Sequence, residues 1–228
     1  MIQTDIHAVL QAYNSKSGPN DRFTSFDYCY NYFRNAEDLK NDVEKSCLAL
    51  GFYLASWGML RGSSFLLDKS AKHFEDTIGY IAELPRSIWN IDVDNYTNEN
   101  IQQIIEIYGD VKSKLVTDGK THKTLVTKVL LGVFGFVPAY DDYFTSTFRE
   151  ISGELCRFRS VNVNSLTVIK GFYENNRTTI DRFSEQAFTT DFLTGQKTKT
   201  NYPKAKIIDM YGFQRAMTAR AKGKQVVL

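Results

Sequence analysis

Residues 119–141, with the sequence GKTHKTLVTKVLLGVFGFVPAYD, decide how the middle of the chain folds. A glycine and several lysines precede the apolar run 125–134, which predicts a buried helix. Gly135 is expected to end that helix, because glycine readily adopts the left-handed conformation found at helix ends. After Pro138, Asp141 stands at the start of the next helix, where an aspartate accepts hydrogen bonds from free backbone amides. The stretch therefore predicts two consecutive helices and a carboxylate between them.

The rest of the chain carries the same helical periodicity, and we predict an all-α fold. Thr4 and Thr97 are expected to cap the helices that follow them, and the segment 26–33 fits either a helix or a buried extended segment. The best strand candidate, 161–163, is very short. The remaining helices are predicted at 42–60, 71–84, 124–134, 142–158, 163–173 and 178–187, and from Pro203 onward.

Size and composition indicate an ordinary globular protein. The 228 residues fit a single helical domain, 1–228, or two closely packed lobes that share a core. Apolar runs such as 48–60 are too short and too mixed to span a bilayer, and the N-terminus does not resemble a signal peptide. We therefore expect a cytoplasmic protein without a membrane partner.

The cysteines Cys29, Cys47 and Cys156 are odd in number and widely separated, which predicts buried thiols in a reducing compartment. No Cys-x-x-Cys pair occurs, and the histidines do not stand at ligand spacing. The sequence predicts neither a metal site nor a cofactor.

The net charge of +2 conceals an asymmetry. Residues 196–228 contain eight basic side chains and one acidic side chain, so this segment carries +7 and the remainder carries −5. A basic segment on a weakly acidic body suits contact with phosphates. The alternative is a solvated tail, and the end of the chain, 215–228, is expected to be loosely held.

The lysine-flanked helix entry followed by a proline and an aspartate resembles the helix-hairpin-helix DNA glycosylases. Asp141 lies 18 residues after Lys123 and 13 after Lys128. The resemblance implies that the hairpin holds the DNA backbone, with Gly119, Lys120 and His122 as contacts. It also implies that Asp141 performs the chemistry, by stabilising positive charge on the sugar or by aligning water. On the residues alone, an aspartate at this position is most often a simple helix cap.

Two lysines compete for the Schiff-base role that the resemblance suggests. Lys123 has the better spacing to Asp141, and Gly119 then falls on the first hairpin glycine. Thr121 occupies the position of the second glycine, which is a departure from the family pattern. Lys128 lies inside the apolar run, where burial would lower its pKa enough for a nucleophile. Both lysines are alternatively exposed helix residues or phosphate contacts, and a monofunctional glycosylase needs neither.

The segment 54–64, LASWGMLRGSS, supplies candidates for the base pocket. Trp57 and Arg61 are four residues apart and flank glycines that permit close approach of a ligand. In the family that this chain resembles, a helix end at this distance before the aspartate lines the pocket. Trp57 would stack on a flipped base and Arg61 would contact a phosphate or a modified base, with Tyr140 as a third substrate contact. The alternative is a core tryptophan with a structural arginine.

The function predicted from the sequence is excision of a damaged or modified base from DNA after base flipping. The departures from the family pattern suggest an unusual base, and antiviral glycosylases that act on hypermodified phage cytosine are one such group. DNA is the expected partner, and no obligate protein partner is evident. Two alternatives are a non-catalytic helical module that binds nucleic acid and a helical protein-interaction or toxin–antitoxin domain.

Overall fold

A computed structural model describes residues 6–14, 18–117, 119–153 and 155–225. These residues form ten α-helices and one two-stranded antiparallel sheet, and the 68% helix content confirms the all-α prediction. The helices are α1 Ile6–Asn14, α2 Ser25–Asn35, α3 Val43–Ser56, α4 Glu75–Glu83, α5 Asn98–Leu115, α6 Lys123–Phe134, α7 Asp142–Ile151, α8 Val163–Asn175, α9 Arg177–Gln186 and α10 Lys204–Gln225. The strands are β1 Phe188–Thr190 and β2 Lys197–Asn201, and short 3-10 helices lie at Arg22–Thr24, Phe65–Asp68, Ala71–Phe74, Arg86–Asn90 and Val93–Asn95.

Helix α6 lies at the centre of the molecule. Every residue from Leu125 to Phe134 is buried, and the helix packs against α2, α3 and α5. An apolar sequence on all faces is stable only where neighbours cover every side. Trp89 fixes the end of this helix, because its indole N–H donates to the carbonyl oxygen of Val133 at 2.9 Å. The lysine within α6 is therefore carried into the interior.

Helices α7 and α10 pack closely along a row of aromatic rings. The ring of Phe144 stacks between Tyr140 and Phe148, with centroid distances of 5.6 and 4.3 Å. Gly212 of α10 faces this row, and a Cβ atom there would lie 2.7 Å from the Phe144 ring. A glycine at this position therefore allows the two helix backbones to approach each other. The buried apolar side chains of the described residues form one cluster that reaches from Leu10 to Phe213.

The turn between α6 and α7 forms as the sequence predicts. Gly135 adopts a φ of 76°, and its N–H reaches the carbonyl oxygens of Leu130 and Leu131. Asp141 is the N-cap of α7, where its side chain accepts the N–H of Phe144. Both the predicted end of one helix and the predicted start of the next are confirmed.

Several other predictions about local structure need correction. The segment 161–163 is not a strand, because Asn162 caps α8 by accepting the N–H of Ser165 at 2.9 Å. Helix α7 ends at Ile151 instead of continuing to 158. The segment 26–33, left open between helix and strand, belongs to α2. The prediction that Thr97 caps α5 is confirmed, and Thr4 lies outside the described residues.

The C-terminal helix is longer and better packed than the charge pattern suggested. α10 continues past Arg215 to Gln225, and Ala216 is buried. The expectation of a loosely held end from Arg215 therefore does not hold at Ala216, while residues 218–221 of the helix are exposed. None of the helices in the described ranges combines the length and the hydropathy that a membrane-spanning segment requires.

Candidate functional site

Asp141 uses its two carboxylate oxygens for different partners. Oδ1 accepts the backbone N–H of Phe144 at 2.9 Å, which caps α7. Oδ2 faces the ammonium of Lys128 at 3.4 Å. Asp141 therefore does cap the helix, as the predicted alternative held. The cap uses only one carboxylate oxygen, and the other contacts a charged group.

Lys128 is the lysine that meets Asp141. It lies in the second turn of α6, and its side chain is only 5% exposed, while that of Asp141 is 17% exposed. Its ammonium also lies 5.0 Å from the centroid of the Trp57 ring. A cation at this distance is attracted by the electron-rich face of an indole. Three residues that are far apart in sequence are thereby brought into one cluster.

Trp57 occupies the end of α3 and is half-buried. Its indole N–H is buried and has no hydrogen-bond partner among the described residues. A buried donor without an acceptor is unfavourable by roughly 1–3 kcal/mol, so this group is able to gain from an acceptor supplied by a ligand. We name the residues Trp57, Lys128 and Asp141 the indole cluster.

Three further side chains cover the Trp57 ring. The rings of Phe23 and Phe213 lie 5.6 and 6.0 Å from it and 6.1 Å from each other. The guanidinium of Arg22 lies 5.5 Å from the Trp57 centroid and 5.4 Å from that of Phe23. Arg22 is exposed to solvent, so the cover on this side of the cluster includes a surface residue.

A second buried ion pair also lies beside Trp57. The ammonium of Lys206, 5.3 Å from the Trp57 centroid, contacts Asp209 at 2.8 Å and the hydroxyl of Tyr13 at 3.3 Å. Burial opposes the charge of Lys206, but attraction and hydrogen bonding from Asp209 and Tyr13 together outweigh burial and raise the pKa of the lysine. Burial raises the pKa of Tyr13 to about 12, against the opposing effect of Lys206.

Asp209 links this second pair to the turn that carries Asp141. Its Oδ1 accepts the backbone N–H of Ala139 at 3.0 Å, two residues before the cap. The next amide, that of Tyr140, donates to the hydroxyl oxygen of Thr127 at 2.9 Å. The backbone leading to Asp141 is therefore held by side chains of α10 and α6, which fixes the position of the carboxylate.

Two predicted substrate contacts occupy other places. Tyr140 is fully buried, and its hydroxyl donates to Ser165 at 3.0 Å, so its side chain belongs to the core and does not face the indole cluster. Arg61 is exposed and folds back over Gly58, where an added Cβ would lie 2.7 Å from Nε. The described residues give Arg61 no contact with Trp57 or Asp141.

The predicted hairpin residues lie in the connection 116–122 between α5 and α6. Gly119 has a φ of 74° and open space beside it, and Lys120 is exposed. His122 precedes α6 without capping it by its side chain. Lys120 also borders an open groove of about 370 Å³ that the segment 62–69 lines from the opposite side.

Lys123 lies apart from the indole cluster. It is half-buried at the start of α6 and lines a groove of about 670 Å³ together with residues of α7 and α10. Burial lowers the pKa of its amine, which the carboxylates of Asp142 and Asp141 oppose and Arg149 reinforces. The structure therefore gives the two competing lysines different surroundings, and only Lys128 forms an ion pair with Asp141.

The basic residues of the segment 196–228 do not form one free patch. Lys204 pairs with Asp94, Lys206 with Asp209 and Arg215 with Glu150. Lys197 donates to the hydroxyl of Thr190 at 3.0 Å. Four of the eight basic residues thus have partners within the protein, and phosphate contact by this segment stays a prediction.

The chain matches no model of a known protein family, no curated protein and no solved structure.

Sequence reasoning missed the second ion pair and the cover of Trp57. Lys206 and Asp209 stand three apart within an apolar helix, which places them on one face. That spacing was the available signal, because a charged pair amid apolar neighbours predicts mutual burial. Phe23 and Arg22 carry no such pattern, since they lie in a short 3-10 helix beside a polar loop.

Proposed function

We propose that the protein is a DNA glycosylase of the helix-hairpin-helix type that removes a modified base, with Asp141 as its catalytic carboxylate. The observation that carries the proposal is the indole cluster. It brings together a carboxylate that caps a helix, a buried lysine and an indole whose N–H has no acceptor. This set contains a group for the sugar and an aromatic face with a donor for the base. The resemblance of the 119–141 stretch supports the same assignment.

The reaction that these groups support is hydrolysis of the N-glycosidic bond. The bond between the sugar carbon and the base nitrogen breaks, and its electron pair leaves with the base. The carboxylate of Asp141 stabilises the positive charge that develops on the sugar. Water then adds to the sugar carbon, and its proton passes to the carboxylate or to the departing base. The products are the free base and an abasic site.

Lys128 would assist as a cation and not as a nucleophile. Its ammonium is paired with Asp141 and has no free electron pair while it carries its proton. In that state it donates a hydrogen bond and orients the carboxylate, and it also offers a donor to a leaving base. We therefore propose a monofunctional enzyme that forms no imine with the sugar.

Base entry requires movement of the residues above Trp57. Arg22 and Phe23 now occupy positions beside the indole ring. A flipped base that stacks on Trp57 would displace one of them. The short 3-10 helix Arg22–Thr24 is the element that would shift.

Release of abasic sites tests the proposal. The protein is incubated with ordinary DNA and with phage DNA that carries hypermodified cytosine, and abasic sites are then counted. The Asp141→Asn variant keeps a capping oxygen but removes the charge, so base release should be lost. A well-folded Asp141→Asn protein with full activity would remove Asp141 from the reaction.

Reductive trapping tests the absence of an imine. Borohydride added during turnover converts a lysine–sugar imine into a stable protein–DNA adduct. No adduct is expected. An adduct that disappears in Lys128→Ala or in Lys123→Ala would show that the enzyme uses a nucleophilic lysine, and would identify it.

A non-catalytic helical module that binds nucleic acid is the second candidate. It is favoured by the groove beside α7, where basic side chains line an open surface. In that case Asp141→Asn would leave DNA affinity unchanged, and the wild-type protein would release no base from any of the DNA substrates.

A further inference from the structure

A basic groove runs along α7, the helix that Asp141 caps. Its walls come from the start of α6, from α7 and from the end of α10, and its volume is about 670 Å³. The basic residues that line it are Lys123, Arg149 and Arg220. None of these three belongs to the indole cluster.

Each of the three cations is held by an uncharged group or by none. Nε and Nη2 of Arg149 both donate to the carbonyl oxygen of Arg157 at 3.3 Å. The guanidinium of Arg220 lies 4.3 Å from the centroid of the Tyr143 ring. Lys123 is half-buried and forms no ion pair with any described residue. Their charges are thus positioned without being cancelled.

The acidic residues of the groove do not balance these charges. Glu150 forms an ion pair with Arg215. The other acidic residue among the described lining residues is Asp142, which is exposed. The described side chains therefore give the groove an excess of positive charge, which attracts an anion.

The groove and the Asp141 carboxylate are positioned by the same helix. Asp141 caps α7, and its backbone carbonyl oxygen accepts the hydroxyl of Thr145 at 2.8 Å. With a rise of 1.5 Å per residue, Arg149 lies about 12 Å from Asp141 along the helix axis. A B-form duplex rises by about 3.4 Å per phosphate of one strand, so a groove of this length can contact more than one phosphate.

We propose that this groove binds the phosphodiesters of the DNA strand that carries the target base. The inference rests on the proposed function for the identity of DNA as the partner. Guanidinium groups match the geometry of phosphate oxygens, and such contacts fix the position of a strand without reading its sequence. Lys123 and Arg149 would hold the phosphates beside the flipped nucleotide, with Arg220 on the α10 side.

Salt-dependent DNA binding tests the proposal. Binding of a labelled duplex is followed by fluorescence anisotropy between low and moderate salt, in the Asp141→Asn background, so that turnover does not interfere. Log affinity falls as log salt concentration rises. The Arg149→Gln/Arg220→Gln variant should make this slope shallower by about 1.8, since each duplex phosphate contact contributes about 0.9. Thermal unfolding of each variant shows that the fold is retained.

A matched control removes two positive charges elsewhere. Arg182 of α9 and Lys199 of β2 are exposed and have no ion-pair partner among the described residues. The Arg182→Gln/Lys199→Gln variant should keep the original slope. An unchanged slope in the groove variant, or an equal loss in the control, would overturn the proposal.

Two further outcomes separate this proposal from its alternatives. If millimolar phosphate displaces DNA more than chloride does at the same ionic strength, and the groove variant abolishes that difference, DNA and phosphate compete for the groove, as the proposal requires. If the groove variant loses slope as expected but the wild-type protein releases no base from any DNA, the groove assignment stands and the glycosylase proposal fails.

Discussion

The ammonium of Lys128 lies 3.4 Å from Oδ2 of Asp141, while Oδ1 of the same carboxylate caps α7. One aspartate therefore carries out two structural tasks, and substitutions can separate them. Asparagine caps helices about as well as aspartate does, but it does not balance the charge of a buried lysine.

The first prediction concerns this ion pair. Asp141→Asn should lower the free energy of unfolding by on the order of 3 kcal/mol, because Lys128 keeps a buried charge without its partner. Asp141→Asn/Lys128→Met should recover most of that loss, since it removes both charges and keeps the cap. Urea unfolding of the two variants measures the difference. Equal stability of the single variant and the wild-type protein would show that the pair contributes nothing.

The second prediction compares the two tryptophans. Trp57→Phe removes a buried N–H without a partner but also weakens the contacts of the larger ring. These effects oppose each other, so the free energy of unfolding should change by less than about 1 kcal/mol. Trp89→Phe should lower it by about 1–3 kcal/mol, because the N–H of Trp89 donates to Val133 in the core. If Trp57 contacts the base, Trp57→Phe should also slow base release. A larger stability loss at Trp57 than at Trp89 would contradict the assignment of a free donor.

The third prediction concerns the cover of Trp57. In a Trp89→Phe background, Trp57 is the only tryptophan. Arg22→Ala should then increase quenching of its fluorescence by acrylamide, since the guanidinium 5.5 Å from the ring no longer blocks access. Acrylamide is uncharged, so the lost charge itself does not alter the quencher concentration. The exposed Arg182→Ala serves as the control, and equal quenching before and after Arg22→Ala would count against a covering role.

The fourth prediction concerns pH. Burial raises the pKa of Asp92 to about 6, although its oxygens accept the backbone N–H groups of Val93, Lys204 and Ala205. A carboxyl whose pKa is higher in the folded state than in the unfolded state binds protons preferentially when folded. Its contribution to stability therefore increases as the pH falls from about 7 to 4. The free energy of unfolding of the wild-type protein minus that of Asp92→Asn should therefore increase as the pH falls over this range. Chemical unfolding at several pH values measures this difference. A constant difference would mean that Asp92 does not titrate there.

The α6–α7 turn could be predicted because its determinants are local. Gly135 ends a helix through its own conformation, and Asp141 caps the next helix three residues from its partner amide. The segment 161–163 was only the best candidate for a strand, because its two valines suggested alternation. The side chain of Asn162, which the prediction did not consider as a cap, decides the outcome there.

The candidate site could be predicted only where one stretch of sequence carries the signal. Lys128 was marked by its position in an apolar run, and Trp57 by its glycine neighbours. Their contact joins α3 to α6, and no local pattern specifies a distance between two such elements. The pair of Lys206 and Asp209 was hidden for a different reason, since counting charge over a long segment discards the spacing that places both residues on one face.

Several of these contacts are made by a single helix, α10. It begins where Asp92 holds the amides of Lys204 and Ala205, and it then supplies the lysine beside Trp57, Phe213 over the same ring and Arg220 in the groove. Successive residues of an α-helix are rotated by about 100°. Insertion of a single residue after Pro203 would therefore turn all three side chains away from their partners together. The rotational register of one helix, set at its first turn, determines the composition of two neighbouring sites.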